Sequence, residues 1–146
     1  MDNQNPMHRR SPDHRVQVCF VCSGNICRSP MAEVVLAALV VEAGLDEVIA
    51  VDSAGTGEWH IGERADRRTV AALGRRGYDG SLHRARQFEP EWFATRDLVI
   101  ARDRSHLRTL SAWAPTPAAR ERIQLLRTFD PRVDPDAAGL ELDVPD

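Results

Sequence analysis

The chain has 146 residues, 42% of them apolar and 28% charged, which is the balance of a soluble globular protein with room for one core. Its formal net charge of −3 gives no basis for bulk attraction to nucleic acid or to an anionic membrane. All 19 basic residues are arginine, so Schiff-base and lysine general-base chemistry are excluded as well.

Residues 1–15, MDNQNPMHRRSPDHR, are polar, carry Pro6 and Pro12, and lack the apolar centre of a signal peptide. They read as a disordered tail ahead of one domain spanning 16–146. VQVCFV (16–21) is a run of β-formers, the pattern of a buried parallel strand. From Pro30 the pattern changes: Met31, Val34, Val35, Ala38 and Leu39 recur at the spacing of an amphipathic helix. Ser29 is placed to cap that helix, Pro30 suits its first position, and Gly44 can end it. VIAVDSA (48–54) predicts the next strand and GTGEWHIGERAD (55–66) a glycine-punctuated loop. Residues 66–76 read as a helix stopped by Gly77, and PEWFATR (90–96) as a short helical turn. DLVIA (97–101) is a third strand, SHLRTLSAWA (105–114) a helix broken at Pro115, and IQLL (123–126) a short fourth strand before a turn-rich end. Strands alternating with helices predict one doubly wound α/β domain, a four-stranded parallel sheet with helices on both faces. Ligands of such folds bind beyond the carboxyl ends of the strands, and the loop after the first strand is the usual place.

That loop is CSGNICR, residues 22–28. Successive N–H groups of such a turn can form an anion-binding nest, and the following helix N-terminus adds orphan donors and positive potential. Gly24 and Asn25 are the residue types that tolerate positive φ there. Nest, helix end and Arg28 all favour a thiolate at Cys22. Arg28 also offers a planar fork of donors matched to two phosphate oxygens. The constellation is a thiolate nucleophile aimed at a bound phosphoryl group. Its bland alternative is two small core cysteines beside a surface arginine; the strand, glycine, Ser-Pro and helix in register argue against it. There is no Gly-Lys-Ser/Thr of a Walker loop, and the four residues between Cys22 and Cys27 are not the two of a thioredoxin site. The three cysteines lie within nine residues and the five histidines have no ligand spacing, so neither a metal nor a cofactor is expected, and a reduced cytoplasmic protein is the default.

VCFVCSGNICRSPMAE (18–33) closely resembles the signature of the low-molecular-weight protein tyrosine phosphatases, and the similarity continues through VDSAGTGEWHIGERAD, HRARQ, DLVIARDRSH and LLRTFDP. GTGEWHIG looks most like the bacterial, actinobacterial-type members. The resemblance implies Cys22 as the nucleophile that becomes phosphocysteine and Arg28 as the clamp on the transferring phosphoryl oxygens. It implies backbone amides of Ser23, Gly24, Asn25, Ile26, Cys27 and Ser29 as phosphate ligands, with the Ser29 hydroxyl supporting the thiolate. Asn25 corresponds to a loop asparagine held by a polar network that includes Ser53 and His83, although by themselves these two could be a turn former and an exposed loop residue. Trp59 and His60 correspond to the lip of the cleft, where the tryptophan alone could equally plug a core. Asp103 corresponds to a cleft-lining acid, and it is also a plausible helix N-cap. Cys27 corresponds to a second loop cysteine that could trap an oxidised Cys22 as a disulfide. Cys19 points to no chemistry.

The family's general acid is an aspartate followed by proline and two aromatics, then a final helix. Asp146 matches that aspartate by register but is the last residue of ELDVPD, and Asp143 is a weaker match; a further C-terminal segment is the expected continuation. The function implied is hydrolysis of protein phosphotyrosine, inhibited by phosphate or vanadate, by a monomer or weak dimer. Arsenate reductases of this fold need further cysteines downstream. Protein-arginine phosphatases carry a threonine in place of Ile26. A non-catalytic phosphopeptide-binding module is the reading that would follow from loss of the acid.

Overall fold

A computed structural model describes residues 15–131; all but the last residue of the predicted tail over 1–15, and the end containing Asp143 and Asp146, lie outside the described residues. The first strand, β1 (Val16–Cys22), runs one residue further than the sequence pattern suggests and delivers Cys22 at its carboxyl end. It is flanked on one side by β2 (Ile49–Gly55) and on the other by β3 (Leu98–Ala101), with β4 (Ile123–Leu125) beyond, giving the parallel order β2-β1-β3-β4. The chain therefore leaves β1 in one direction to form β2 and returns on the other side to form β3. The crevice at this reversal opens above the end of β1.

Alternation along β1 divides the core. Cys19 and Val21 point to one face, where they join Val99, Ala101, Phe88, Phe93 and Leu110. That face is covered by α3 (Arg104–Trp113), α4 (Pro117–Glu121) and a 3-10 turn at Pro90–Ala94. Val18 and Phe20 point to the other face, where α1 (Arg28–Glu42) lays Ala32 and Leu36 on the sheet. The remaining helix, α2 (Arg67–Arg75), follows the long loop after β2 and is capped by the Asp66 carboxylate, which accepts from Arg68 N–H at 2.8 Å. Among the described residues no helix is long and apolar enough to cross a membrane.

Two expectations about α1 are corrected. The helix begins at Arg28 with Cys27 in the cap position, and Ser29 makes no capping bond because its hydroxyl is engaged at the active loop. The inward face is not the stripe of Met31, Val34, Val35, Ala38 and Leu39; Ala32 and Leu36 pack on the sheet, Val40 is buried, and Leu39 is exposed. Nearly every residue from Met31 to Val41 is apolar, so periodicity alone had no polar side to mark. Helix α4 and a 3-10 turn at Leu126–Phe129 also went unpredicted, being short segments next to prolines and strand ends.

Candidate active site

The loop after β1 is shaped by where its carbonyls go. Cys22 O accepts from Thr56 N–H and Ser23 O from Gly57 N–H, both at 2.9 Å, and Ile26 O accepts from Asp66 N–H at 2.7 Å. The carbonyl of Asn25 is 2.6 Å from His83 Nε2. Four carbonyls are thus bonded to the segment that follows β2, while among the described residues no N–H of residues 23–27 donates to a protein acceptor. These amides, next to the N-terminus of α1, are geometrically able to serve as the donor set of an anion-binding loop. The turn needs one residue of positive φ, and Asn25 supplies it at 59°; Gly24, the other candidate, is not in that region. Gly24 instead allows the His60 ring to lie against it, since a Cβ there would come 2.8 Å from His60 Cδ2.

A polar chain runs from Cys22 into the core. Cys22 Sγ lies 2.9 Å from Ser29 Oγ. Asn25, which is wholly buried, donates from Nδ2 to Ser29 Oγ and to Ser53 Oγ, both at 2.9 Å, and accepts at Oδ1 from Arg86 N–H at 2.8 Å. Ser53 in turn donates to Glu33 Oε1 at 2.6 Å, and His83 Nδ1 is 3.8 Å from the same oxygen. Every polar group of the Asn25 side chain is satisfied, which is what a buried amide requires.

The other flank of the loop is tied to α3. Ser23 Oγ is 2.8 Å from Nε2 of His106, a residue only 3% exposed, and His106 Nδ1 is 2.8 Å from Asp103 Oδ1. Asp103 is the N-cap of α3, accepting from the backbone N–H of Ser105 and His106, and its second oxygen takes a 2.9 Å bond from Arg102. Burial alone would push the Asp103 carboxyl up, but the bonds from Ser105 and Arg102, with the His106 contacts, outweigh it and hold the group well below the usual carboxylate range.

These elements enclose a cavity of about 750 Å³ whose wall includes Cys22, Cys27, Arg28, Ile26, Trp59 and His60. One face of α2 forms a side of it through Arg68, Thr69, Ala72 and Arg75. Among the described residues the Arg28 guanidinium has no hydrogen-bond or ion-pair partner, leaving its fork open to an anion in the cavity. Trp59 is 69% exposed at the rim, so it is not a core plug, and its ring covers Gly57. Asp103 is not in the wall; Arg102, which it holds, stands there instead.

The sequence profile of the family described as low molecular weight phosphotyrosine protein phosphatase matches residues 17–146. The chain belongs to that family. A low molecular weight protein-tyrosine-phosphatase of Streptomyces coelicolor is 55% identical over 130 residues, 89% of this chain and 76% of the relative. Among solved structures, YfkJ from Bacillus subtilis superposes with a TM-score of 0.80 at 37% identity, covering 90% of this chain and 79% of its own. A drosophila arginine phosphatase superposes at 0.71 with 38% identity, over 77% of this chain and 71% of its own.

Within this phosphatase fold, the structure brings together Cys22, the loop residues, Arg28, Ser29, Ser53, His83, Trp59 and His60. Three participants went unread in the sequence. Glu33 could have been found, because it is the one charged residue between Arg28 and Glu42 of an otherwise apolar helix. His106 stands four residues before Leu110, and the two are the buried side chains of α3. Arg86 acts through its backbone N–H, for which no sequence signal exists.

Proposed function

We propose that this phosphatase hydrolyses phosphotyrosine monoesters through a phosphocysteine on Cys22. The observation that carries the reading is the loop itself: its carbonyls are bonded outward, its amides are unspent, and the Cys22 sulfur stands in the same cavity. The thiolate sulfur attacks phosphorus as the aryl P–O bond breaks, and the amides and Arg28 hold the three equatorial oxygens. The leaving phenolate needs a proton. Asp146, matched by register and outside the described residues, is assigned as the donor; as a carboxylate it then takes a proton from the water that attacks phosphorus, and the S–P bond breaks to release inorganic phosphate.

Loop amides and Arg28 supply the positive potential that the dianion requires, so the scheme assigns no metal. Ile26 in the cavity wall favours an aryl ester over a phosphoguanidinium group, because it offers apolar surface and no hydroxyl. Cys27 shares that wall with Cys22, and its assigned role is to trap an oxidised Cys22 as a disulfide, with loss of water from the sulfenic acid. The test compares initial rates on peptides carrying phosphotyrosine, phosphoserine or phosphoarginine, with and without EDTA. Hydrolysis confined to phosphotyrosine and indifferent to EDTA is expected. Preference for phosphoarginine, or loss of activity in EDTA restored by one divalent metal, would overturn it.

A further inference from the structure

The loop is held from two sides. On the β2 side Asn25 binds Ser53, Arg86 and His83. On the β3 side the only polar side-chain tie to the loop among the hydrogen bonds of the described residues is that of Ser23 to His106. Ser23 is the residue immediately after the nucleophile and lines the cavity, so a small rotation there moves the amides and the sulfur together. A serine on a loop ordinarily samples several rotamers. This one is pinned by an imidazole buried at the base of α3, and the imidazole is itself oriented from behind by the Asp103 carboxylate. Asp103 Oδ1 stands 2.8 Å from Nδ1 and also accepts from the His106 backbone N–H, so the N-cap geometry places the carboxylate behind the ring.

We infer that Asp103–His106–Ser23 is a second clamp on the phosphate loop, with His106 a positioning residue that sets the affinity for the phosphoryl group. The inference rests on the phosphatase reading above and adds to it a determinant from α3. Asp103 serves it twice, since the same carboxylate fixes Arg102 in the cavity wall. Anchoring the hydroxyl at Nε2 removes loop freedom before the anion arrives, which is how a preorganised donor set gains affinity.

The experiment measures p-nitrophenyl phosphate turnover and its competitive inhibition by inorganic phosphate in wild type, His106→Leu, Ser23→Ala, the double variant and His106→Gln, together with each melting temperature. His106→Leu and Ser23→Ala should each raise the phosphate Ki and the KM about three- to tenfold, the scale of one lost hydrogen bond. The double variant should be no worse than the singles, and His106→Gln, which can still reach Ser23, should recover part of the loss. Additive effects, or a phosphate Ki left unchanged by His106→Leu despite a lowered melting temperature, would overturn the clamp and leave His106 a core residue. If His106→Leu does not fold, Ser23→Ala and His106→Gln decide on the same criterion: an unchanged Ki in Ser23→Ala overturns it. Wild type that fails to hydrolyse the aryl phosphate would instead refute the phosphatase reading.

Discussion

The Ser29 hydroxyl sits between the Cys22 sulfur, 2.9 Å away, and the Asn25 amide nitrogen, also at 2.9 Å. The amide nitrogen can only donate, so it occupies an acceptor site on Ser29 Oγ and leaves the single hydroxyl proton for the sulfur, with the Ala54 carbonyl at 3.4 Å a longer alternative. A sulfur without its proton can only accept, so this arrangement offers a thiolate a hydrogen-bond donor from within the core. Ser29→Ala should lower kcat about tenfold, the worth of one hydrogen bond to a charged group, with a smaller change in KM. Steady-state kinetics on p-nitrophenyl phosphate read both values, and an unchanged kcat would remove Ser29 from the thiolate's support.

Gly55 faces Cys22 across the β1–β2 ladder and is the floor under the loop. A Cβ on it would come 2.5 Å from Ser23 O and 3.1 Å from Asn25 N, both backbone atoms that cannot swing aside. Gly55→Ala should therefore displace the loop and cost both activity, by at least tenfold, and stability, by about 1–3 kcal/mol. Thermal unfolding and turnover measured on the same preparation check it; a variant of wild-type activity would mean that the loop tolerates the shift.

Asn25→Ala should cost about 2–4 kcal/mol in a denaturant titration. It strands Arg86 N–H, removes a donor from both Ser29 and Ser53, and puts a residue with no polar side chain at φ 59°. A loss below 1 kcal/mol would show that water replaces the amide.

The sequence carried the strand and the loop and put Cys22 and Arg28 on one cavity wall, because both lie at fixed spacing within a single turn. It did not carry what reaches the loop from afar. Gly55 lies more than thirty positions after Cys22 and reads as the first glycine of a glycine-punctuated loop until the parallel register sets it opposite Cys22. Of the two readings of Asp103, cleft acid and helix N-cap, the N-cap holds, and the same carboxylate is the post on which Arg102 and His106 hang. Ser29 reads both as a helix cap, because Ser-Pro is a good helix start, and by resemblance as a partner of Cys22; its hydroxyl bonds at Cys22 and makes no cap bond.

Stability should fall at both ends of the pH range. The Asp103 carboxyl is held below its ordinary value in the folded state, so its contribution is present above about pH 4 and is lost as the pH drops below that. Complete burial, with Asp52 close by, pushes the Cys19 thiol well above the ordinary 9.0. The folded state therefore holds that proton more tightly than the unfolded one, and the contribution is present below about pH 9 and lost as the pH rises further. Melting temperatures across the range should show an acid limb flattened by Asp103→Asn and an alkaline limb flattened by Cys19→Ala. Limbs unchanged in these variants would assign the pH dependence to other groups. In the folded protein Cys19 should also resist alkylation at neutral pH.

The central claim is that Cys22 carries the phosphoryl group. The most direct measurement is acid quenching during turnover of p-nitrophenyl phosphate, followed by mass spectrometry of the peptides. The expected result is one phosphoryl group on the peptide containing Cys22, on the cysteine sulfur, and none in Cys22→Ser, which should be inactive yet still bind vanadate. A phosphoryl group on any other residue, or steady turnover by Cys22→Ser, would contradict the account.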